Sequence, residues 1–397
     1  MTSLPLSGLR VLELGQLIAG PFATRILADF GADVIKVEPP ETGDPLRNWR
    51  LLHEGTSVWW AAHARNKRSL TLDLRQKEAQ DIVRKLACDA DILIENFRPG
   101  AMEKWGLGFK ELHALNPKLI MVRVSGYGQT GPYRDRPGFG VIGEAMGGLR
   151  HLSGEPGRPP VRVGVSIGDT LSGLQAVIGV MMALRHREQQ GGEGQEVDVA
   201  LYESVFNMME SLLPEYSKFG VVREPAGSSL PGIAPSNAYL CKDGKYALIA
   251  GNGDSIFKRL MEKIGRSDMA NDPRFAVNAG RSEHAEFIDA QINAYTAVHS
   301  LDEVLATMTE AGVPAGKVYD AADIAQDPHY QAREMILDAT LPDGSIVQVP
   351  GIVPKLSQTP GQITRQAPTL GQHTDEILTE LGIDAATQSD LKARKIT

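Results

Sequence analysis

The sequence predicts an α/β fold with a largely parallel sheet, because short β-branched runs alternate with helical patterns along its first third. A strand over Leu9–Leu14, a helix over Phe22–Phe30 and a strand over Asp33–Val37 form the first such unit, with glycines at the turns. Parallel strands require crossover connections, and the helices of those crossovers cover both faces of the sheet. We therefore expect a large domain of the doubly wound, Rossmann-like type.

The same alternation continues beyond the first unit. Further strands are predicted over Ser69–Leu74, Asp91–Glu95, Leu119–Val124 and Gln195–Ala200, and helices over Lys77–Ala87, Phe109–Leu115 and Leu201–Leu213. After the loop-like segment Glu224–Pro235 the pattern predicts a smaller α+β domain. Its strands are expected over Lys245–Ala250 and Val313–Val318, and its helices over Ser255–Ile264, Ser282–Ala297 and Leu301–Ala311.

The last segment of the chain is predicted to return to the large domain. A hairpin over Ile336–Gly351 turns at Pro342–Gly344, where Asp-Gly lies between alternating residues. The expected limits are therefore 1–215 for the first part of the large domain, 225–330 for the small domain and 335–397 for the return.

Composition and charge exclude several classes of partner. The 397 residues carry a formal net charge of -8, and both nucleic acids and anionic membranes require a broad basic face. The two cysteines, Cys88 and Cys241, form neither a disulfide framework nor a zinc spacing. The N-terminal segment has no export signal, and the longest apolar stretch, Leu174–Leu184, is too short to span a bilayer. We expect a cytoplasmic protein whose partners are small molecules, with no nucleic acid and no membrane.

One carboxylate, Asp169, lies at the start of a long apolar helical pattern and after the glycine-rich segment Gly126–Gly168. Glycine-rich loops at the carboxyl ends of parallel strands are where α/β proteins build sites. A carboxylate there faces unpaired backbone N–H groups and the positive end of the helix, so it stays ionised and is able to act as a nucleophile. An Asp before a helix is also an ordinary N-cap, so this feature alone leaves both interpretations open.

Other motifs give weaker signals. Gly138–Gly143 matches G-x-G-x-x-G, but it follows a loop with Pro132 and Pro137 instead of a strand, so nicotinamide or flavin binding is not expected. No P-loop, hydrolase elbow or clustered Cys/His set is present. The basic cluster Arg65–Arg68 precedes a strand and is either a phosphate-binding group or solvated surface.

A set of motifs carries a family resemblance. They are Leu9–Leu14, Ala19–Pro21, Gly31–Glu38, Asn66–Ser69, Glu95–Gly100, Gly126–Pro132, Gly168–Asp169 and Leu370–Asp375. In this order they resemble the class III CoA-transferases, the group of formyl-CoA transferases, carnitine CoA-transferases and α-methylacyl-CoA racemases. The resemblance runs from near residue 7 to the end of the chain.

The resemblance implies an enzyme that moves CoA from an acyl-CoA to a free carboxylic acid, with Asp169 as the covalent nucleophile. Coenzyme A is then substrate and product, and no metal, NAD or flavin is expected. The family also implies a homodimer of two interlocked, ring-like chains. By the same resemblance, residues of four segments contact CoA: Leu17, Ile18 and Ala19; Leu72, Asp73, Leu74 and Arg75; Asn96, Phe97, Arg98, Ala101 and Lys104; and Arg136, Pro137, Gly138 and Phe139.

Departures from the family pattern narrow the reaction. Racemases carry a His-Asp pair where this chain has Gly138–Gly140, and formyl-CoA transferases carry a glutamate at the position of Gly140 and a poly-glycine lid that this chain lacks. The sequence is more similar to the branch that uses succinyl-CoA and dicarboxylates such as itaconate, malate, mesaconate or glutarate. A second carboxylate favours a cation, for which we nominate Arg47, Arg150 or Arg162. An acyl-CoA racemase and a non-catalytic CoA-binding protein stay as alternatives.

Overall fold

The computed structural model describes residues 3–397, except the side chain of Gln190, and the chain forms two compact units. The first unit consists of Met1–Arg150, Val163–Gly220 and His329–Thr397, and the second of His151–Arg162 and Val221–Pro328. The domain limits drawn from the sequence stay a prediction. They differ from this grouping at His151–Arg162, which the prediction included in the large domain.

The elements up to residue 152 follow the predicted alternation. In chain order they are β1 (Arg10–Glu13), α1 (Ala19–Asp29), β2 (Asp33–Glu38), a 3-10 turn (Pro45–Asn48), β3 (Leu52–His53), β4 (Thr56–Ser57), α2 (Val58–His63), β5 (Lys67–Thr71), α3 (Lys77–Asp89), β6 (Ile92–Glu95), α4 (Ala101–Lys104), α5 (Phe109–Leu115), β7 (Ile120–Ser125), α6 (Gly140–Met146) and α7 (Leu149–Leu152).

The remaining elements complete both units. They are α8 (Ile167–Gln190), β8 (Glu196–Ala200), α9 (Leu201–Phe206), α10 (Leu212–Phe219), β9 (Ser236–Leu240), β10 (Tyr246–Ala250), α11 (Asp254–Lys263), α12 (Ser267–Ala270), a 3-10 turn (Pro273–Phe275), α13 (Asn278–Glu283), α14 (Ala285–Thr296), α15 (Leu301–Glu310), β11 (Ala315–Lys317), α16 (Ala321–Gln326), α17 (Pro328–Ala332), β12 (Ile336–Thr340), β13 (Ile346–Pro350), α18 (Thr374–Glu380) and α19 (Ala385–Ala393).

The first unit is built on a six-stranded sheet in the order β5-β2-β1-β6-β7-β8, and every neighbouring pair is parallel. Counting only these strands along the chain, the order is 3-2-1-4-5-6, the doubly wound arrangement. The predicted large parallel sheet is therefore confirmed. The chain leaves β1 toward one side of the sheet and β6 toward the other, so the point between them is a topological switch point.

Period-two alternation along the strands divides the core into two layers. Val11, Val34 and Ile92 pack with α1 and α8 on one face. Their successors Leu12, Ile35 and Leu93 pack with α3, α18 and α19 on the other. Each fully buried side chain of this size stabilises the fold by about 1.5–3 kcal/mol, so both faces need their helical cover.

The second unit contains a three-stranded antiparallel sheet in the order β11-β10-β9. Helices α11, α14 and α15 cover it through a core that includes Tyr239, Phe257 and Ile292. The Tyr239 hydroxyl donates to the Asp289 carboxylate at 2.6 Å, which satisfies the polar end of a buried ring. Strand β9 was not predicted, because its sequence Ser-Asn-Ala-Tyr-Leu lacks β-branched residues.

The helix α8 is longer than the apolar stretch Leu174–Leu184 that the sequence singled out. Ile167–Gln189 has the length of a membrane span, and an 18-residue window within it has a mean hydropathy of 1.5. Only part of its most apolar window is buried, and it packs against α1, β7 and β8. Since core helices of soluble proteins meet the same criterion, this helix is weak evidence for a membrane span.

The basic cluster Arg65–Arg68 is neither a phosphate site nor solvated surface. Arg65 and Lys67 are fully buried, and Arg65 donates to both oxygens of Asp29 at 2.8 and 2.9 Å. Arg68 pairs with Asp33 and with Glu380 of α18. These partners are distant in sequence, which is why the local pattern gave no sign that the cluster joins three elements of the core.

Candidate active site

A cleft of about 600 Å³ lies where β1, β2, β5 and β6 end. The carboxyl ends of parallel strands meet at one edge of a sheet, and open α/β sheets bind their ligands there. The cleft is lined by Leu14, Gln16, Val37, Glu38, Pro39, Pro40, Glu41, Thr42, Leu72, Asp73, Leu74, Arg75, Gln76, Phe97, Trp105, Arg394 and Lys395. Five residues predicted as ligand contacts therefore share one cleft: Leu72, Asp73, Leu74, Arg75 and Phe97.

The loops that follow β1 and β6 are joined at the switch point. The backbone N–H of Gln16 donates to Oδ1 of Asn96 at 2.8 Å, and Nδ2 of Asn96 donates to the carbonyl of Gln16 at 2.8 Å. Asn96 was predicted as a ligand contact. In the structure both ends of its side-chain amide are used to connect the two loops.

The next residue, Leu17, has a left-handed backbone with φ of 63°. A branched, non-glycine residue in this region costs on the order of 1–3 kcal/mol and persists only where its surroundings hold it. Its N–H donates to both carboxylate oxygens of Asp44, at 3.0 and 3.1 Å. Asp44 is itself buried and also accepts from the N–H of Leu46 at 2.9 Å. Asp44 therefore fixes the turn that leads from Leu17 into α1.

Beneath this turn lies a buried cluster of charges centred on Lys36. Its ammonium contacts Glu13 at 2.6 Å, Asp44 at 2.7 Å and the carbonyl of Gly15 at 3.0 Å. Lys67 contacts the other oxygen of Glu13 at 2.8 Å. Burial alone would raise the pKa of Glu13, but Lys36 and Lys67 lower it to about 2. Glu13 therefore stays ionised at neutral pH, and each charge of the cluster has a buried partner.

A further buried carboxylate, Glu95, lies at the end of β6, one of the strands whose ends form the cleft. Its Oε2 accepts the N–H of Phe97 at 2.6 Å, and its Oε1 accepts Nε of Arg123 at 2.8 Å. Burial raises the pKa of Glu95 to about 7, although Arg123 opposes this rise. Glu95 holds the backbone of a residue that lines the cleft and changes its charge near neutral pH.

Asp169 lies in the first turn of α8, half-buried, and its carboxylate packs against the backbone of Gly140 at the start of α6. A Cβ added at Gly140 would overlap Oδ2 of Asp169 and lie 2.7 Å from its Cγ. A Cβ added at Gly168 would lie 3.0 Å from the carbonyl oxygen of Gly140. The two backbone segments thus approach so closely that only glycine fits at position 140 with Asp169 in this conformation.

The loop between β7 and α6 carries four of the predicted contacts, Arg136–Phe139. It folds back on itself, because a Cβ at Gly126 would lie 2.9 Å from Cα of Gly138. The Arg136 guanidinium lies over the Tyr133 ring at 3.6 Å from its centroid, and Phe139 is 67% exposed. The glycine pair therefore places Arg136, Pro137 and Phe139 at the surface directly before the glycine that contacts Asp169.

The other predicted contacts lie near these two places. Ile18 and Ala19 are buried at the start of α1, where a Cβ added at Gly173 of α8 would lie 2.8 Å from the Ala19 carbonyl oxygen. Arg98 and Lys104 are exposed on either side of the half-buried Ala101. The packing of α8 on α1 thus brings the Ile18–Ala19 segment and Asp169 to the same pair of helix ends.

Of the three arginines nominated for a second carboxylate, the structure argues against Arg47. Its guanidinium donates to both oxygens of Glu38 at 2.8 Å and lies 3.8 Å from the Trp60 ring centroid, in the interior. Glu38 neutralises the charge of Arg47, and this ion pair holds the segment after β2 in place. Arg150 is half-buried and donates to Glu144 of α6 at 3.2 Å. Arg162 belongs to the second unit.

Sequence reasoning missed several residues of this region. Asp44, before the 3-10 turn, has the Asp-Pro sequence of a cap, which signals a turn but not its long-range bond to Leu17. Arg394 and Lys395 line the cleft although more than 280 residues separate them from its other walls. Local sequence patterns do not indicate residues that reach a site only through contacts with distant parts of the chain.

Comparison with known proteins adds an independent observation. The sequence profile of CoA-transferase family III matches residues 6–374. The succinyl-CoA–D-citramalate CoA-transferase of Chloroflexus aurantiacus is 50% identical over 394 residues, 99% of this chain and 98% of the relative. The beta subunit of succinyl-CoA–L-malate CoA-transferase from the same species is 42% identical, over 100% of this chain and 98% of the relative.

A solved structure is also similar throughout. A CAIB/BAIF family protein from Brucella suis has a TM-score of 0.84 and 36% identity, covering 96% of this chain and 100% of that one. The likeness therefore extends over both compact units.

Glu95 gives a prediction for the pH dependence of stability. Its folded pKa of about 7 exceeds the ordinary 4.5, so ionisation of the unfolded chain lowers stability as the pH rises from about 4.5 to 7. The free energy of unfolding of the wild type, minus that of Glu95→Gln, should fall by on the order of 3 kcal/mol over this range and stay constant above it. Urea denaturation at several pH values measures the difference.

Glu103→Gln is the matched control, because Glu103 shares Arg123 as its partner at 2.6 Å. Partial burial raises the pKa of Glu103, but Arg123 outweighs it and keeps the pKa below 4.5. Its stabilising contribution is therefore complete above about pH 5 and is lost only as the pH falls below that. A flat profile for Glu95→Gln as well would show that the burial of Glu95 does not perturb its ionisation.

Proposed function

Because the chain belongs to CoA-transferase family III, we propose that it transfers CoA from succinyl-CoA to a free dicarboxylate through a covalent intermediate on Asp169. The observation that carries this proposal is the Asp169 carboxylate, which lies in the first turn of α8 against a glycine that leaves no room for another side chain. Two relatives are named for transfer of CoA from succinyl-CoA, one to citramalate and one to malate, which supports the donor and the class of acceptor.

In the first half of the reaction, a carboxylate oxygen of Asp169 attacks the thioester carbonyl carbon of succinyl-CoA. The carbon–sulfur bond breaks, CoA leaves as the thiolate, and a mixed anhydride joins the succinyl group to Asp169. The thiolate then attacks the aspartyl carbonyl carbon of this anhydride. Succinate leaves as a carboxylate, and Asp169 carries CoA as a thioester.

The second half runs the same chemistry with the acceptor. A carboxylate oxygen of the acceptor attacks the aspartyl thioester, CoA leaves again as the thiolate, and a second mixed anhydride forms. The thiolate attacks the acyl carbon of the acceptor, which gives the new acyl-CoA and returns Asp169 as a carboxylate. No proton is gained or lost overall, so the mechanism needs an ionised nucleophile and no general base.

The start of α8 suits this chemistry. The first-turn N–H groups of a helix have no intrahelical partner, and the helix dipole favours negative charge there. Both effects stabilise the carboxylate and the oxyanion that develops during attack. Gly140 and Gly168 lack side chains, so the backbone approaches the reacting carbon without obstruction.

The cleft at the strand ends is the proposed site of the CoA nucleotide. Leu72–Arg75 and Phe97 line it, and Gln16 at its edge leads directly into Leu17, Ile18 and Ala19. The pantetheine arm would follow this segment toward the packed ends of α1 and α8. Arg98, Ala101, Lys104 and Arg136–Phe139 stay proposed contacts along this route, and neither a metal nor a redox cofactor enters the scheme.

Arg150 is the proposed cation for the second carboxylate of the acceptor. It donates to Glu144, whose Cγ lies 3.4 Å from the place of a Cβ on Gly168. The guanidinium is thus linked through one side chain to the residue before the nucleophile. Arg162 stays a further proposed contact. Arg47 is omitted because its guanidinium is paired with Glu38 in the interior.

A homodimer is proposed from the exposed apolar face of α8. Leu174, Ile178, Met181 and Met182 are 41–68% exposed at spacings of four, three and one residues, which places them on one side of the helix. A second copy of the chain would cover this face, interlocked with the first as the family resemblance implies. Sedimentation equilibrium should give twice the mass of 43.0 kDa, and a monomer at micromolar concentration would contradict the proposal.

The cytoplasm is the proposed compartment, since succinyl-CoA is an intracellular thioester and both described cysteines are free thiols. Cell fractionation measures this, and recovery of the protein from an exported fraction would contradict it.

A panel of acids tests the reaction and the nucleophile together. Incubation with succinyl-CoA and citramalate, malate, itaconate, mesaconate or glutarate should give a new thioester by mass detection. Asp169→Asn keeps the shape of the side chain but removes the nucleophile, so turnover should fall at least about a thousand-fold while CoA binding persists. Hydroxylamine should label residue 169 only when acyl-CoA is present.

If no acid in the panel accepts CoA, two further measurements identify the alternative functions. Exchange of the α-proton of a branched acyl-CoA with deuterated water, with no transfer to any acid, would show a racemase. Binding of CoA without either reaction would show a non-catalytic protein. An active Asp169→Asn variant would overturn the assignment of the nucleophile.

Gly140→Ala tests the close contact between α6 and Asp169. The new Cβ displaces the carboxylate, and misplacement of a nucleophile by about 1 Å costs on the order of a hundred-fold in rate. We expect kcat to fall by about that factor with little change in the affinity for CoA. Gly316→Ala in β11 is the control, because that glycine has no heavy atom within 4 Å of an added Cβ. Equal kcat for both variants would contradict the proposed geometry.

A further inference from the structure

The two residues after α19, Arg394 and Lys395, lie on the wall of the strand-end cleft. They come from the far end of the sequence and were not among the predicted ligand contacts. We call Arg394–Ile396 the tail segment. Its position raises the question of what two cations contribute to a cleft whose other walls are strand ends.

The tail segment is fixed to the cleft by its backbone and by one buried side chain. The backbone N–H of Asp73 donates to the carbonyl of Ile396 at 2.8 Å, next to Leu72 and Leu74 in the cleft wall. The side chain of Ile396 is 1% exposed and packs in the same core cluster as Leu72. The two cations are therefore held at the cleft by ordered structure.

The charged groups of the cleft wall form exchangeable pairs. Arg75 donates to Asp73 at 2.8 Å, Lys395 contacts Glu41 at 2.7 Å, and Arg394 contacts Glu78 and, at 3.2 Å, Asp390. The three cationic side chains are 83%, 73% and 48% exposed, respectively. Exposed pairs of this kind contribute little to stability, so an anion with more than one charge is able to replace the carboxylates.

Apolar surface accompanies these cations in the same cleft. Pro39 and Leu74 line it together with Phe97 and Trp105, whose rings meet edge to face at a centroid distance of 5.2 Å. A flat apolar group beside several phosphates is the chemistry of a phosphorylated nucleotide. The arrangement thus suits the adenosine end of CoA better than a simple inorganic anion.

We propose that Arg394 and Lys395 of the tail segment bind the phosphates at the nucleotide end of acyl-CoA, together with Arg75. This assignment rests on the proposed function, and it adds residues that neither the motifs nor the family resemblance supplied. The phosphates in question are the 3′-phosphate and the pyrophosphate, which share the same chemistry. Because 3′-dephospho-CoA keeps the pyrophosphate and lacks the 3′-phosphate, comparing it with CoA tells which phosphate the tail segment binds.

Calorimetric titration with CoA and with 3′-dephospho-CoA compares the wild type with the double variant Arg394→Gln, Lys395→Gln. Loss of two charge-assisted contacts should weaken CoA binding by about ten- to a hundred-fold. Arg10→Gln is the control, because Arg10 is a similarly exposed, ion-paired cation at the amino end of β1, on the opposite edge of the sheet. Its affinity for CoA should equal that of the wild type.

The affinities of the two ligands for the wild type and the double variant distinguish the possible results. If 3′-dephospho-CoA binds the wild type and the double variant equally, the tail segment holds the 3′-phosphate, and if it is weakened as much as CoA, the segment holds the pyrophosphate. Unchanged CoA affinity in the double variant, with thermal unfolding like that of Arg10→Gln, overturns the inference and leaves the proposed function intact. Failure of the wild type to bind CoA would instead overturn the proposed function and this inference with it.

Discussion

The contact of Lys36 with Glu13 and Asp44 is the interaction on which the site region most depends. Burying a charge is costly unless a partner compensates it, and removal of one member of such a group leaves the others uncompensated, at about 3–5 kcal/mol. Because Asp44 is held by Lys36, it keeps its two oxygens on the N–H of Leu17. The left-handed turn at the switch point is thus a consequence of a charge cluster inside the sheet.

Helix α8 connects this ordered region to Asp169. Gly173 allows it to approach the start of α1, and Gly179 allows it to approach Val197 of β8, where a Cβ would lie 2.6 Å from a valine methyl group. Close packing at both points fixes the direction of the helix and the place of its first turn. The residues that position Asp169 are therefore distributed over α1, β8 and α6.

Local pattern predicted most of the sheet, because alternation and glycine turns are properties of neighbouring residues. It predicted Leu201–Leu213 as one helix. The structure has two helices there: α9 ends at Phe206 and α10 begins at Leu212, and Glu210 between them has a φ of 50°. It also placed the third parallel strand at Ser69–Leu74, while β5 is Lys67–Thr71. Charged residues at the start of that strand disguised it, since their partners Glu13 and Asp33 belong to other strands.

The residues of the candidate site likewise form two groups, those that the sequence nominated and those that only the folded structure brings in. The family resemblance nominated Asp169 as the nucleophile and, as CoA contacts, five residues that the cleft brings together. Asp44, Glu95 and the tail segment were missed because their roles arise from contacts across the fold. Arg47 was nominated from its charge alone, and the structure pairs that charge in the interior. A cation in a sequence gives no sign of which carboxylate will neutralise it.

The contact between Gly140 and Asp169 also constrains how such a site diverges. Two positions 29 residues apart share one small volume, so a side chain is accommodated at the first only after the carboxylate at the second has turned away. The two positions are therefore epistatic, and the order of substitution matters. A larger residue at the start of α6 is therefore accommodated only after, or together with, a change in the position of the Asp169 side chain.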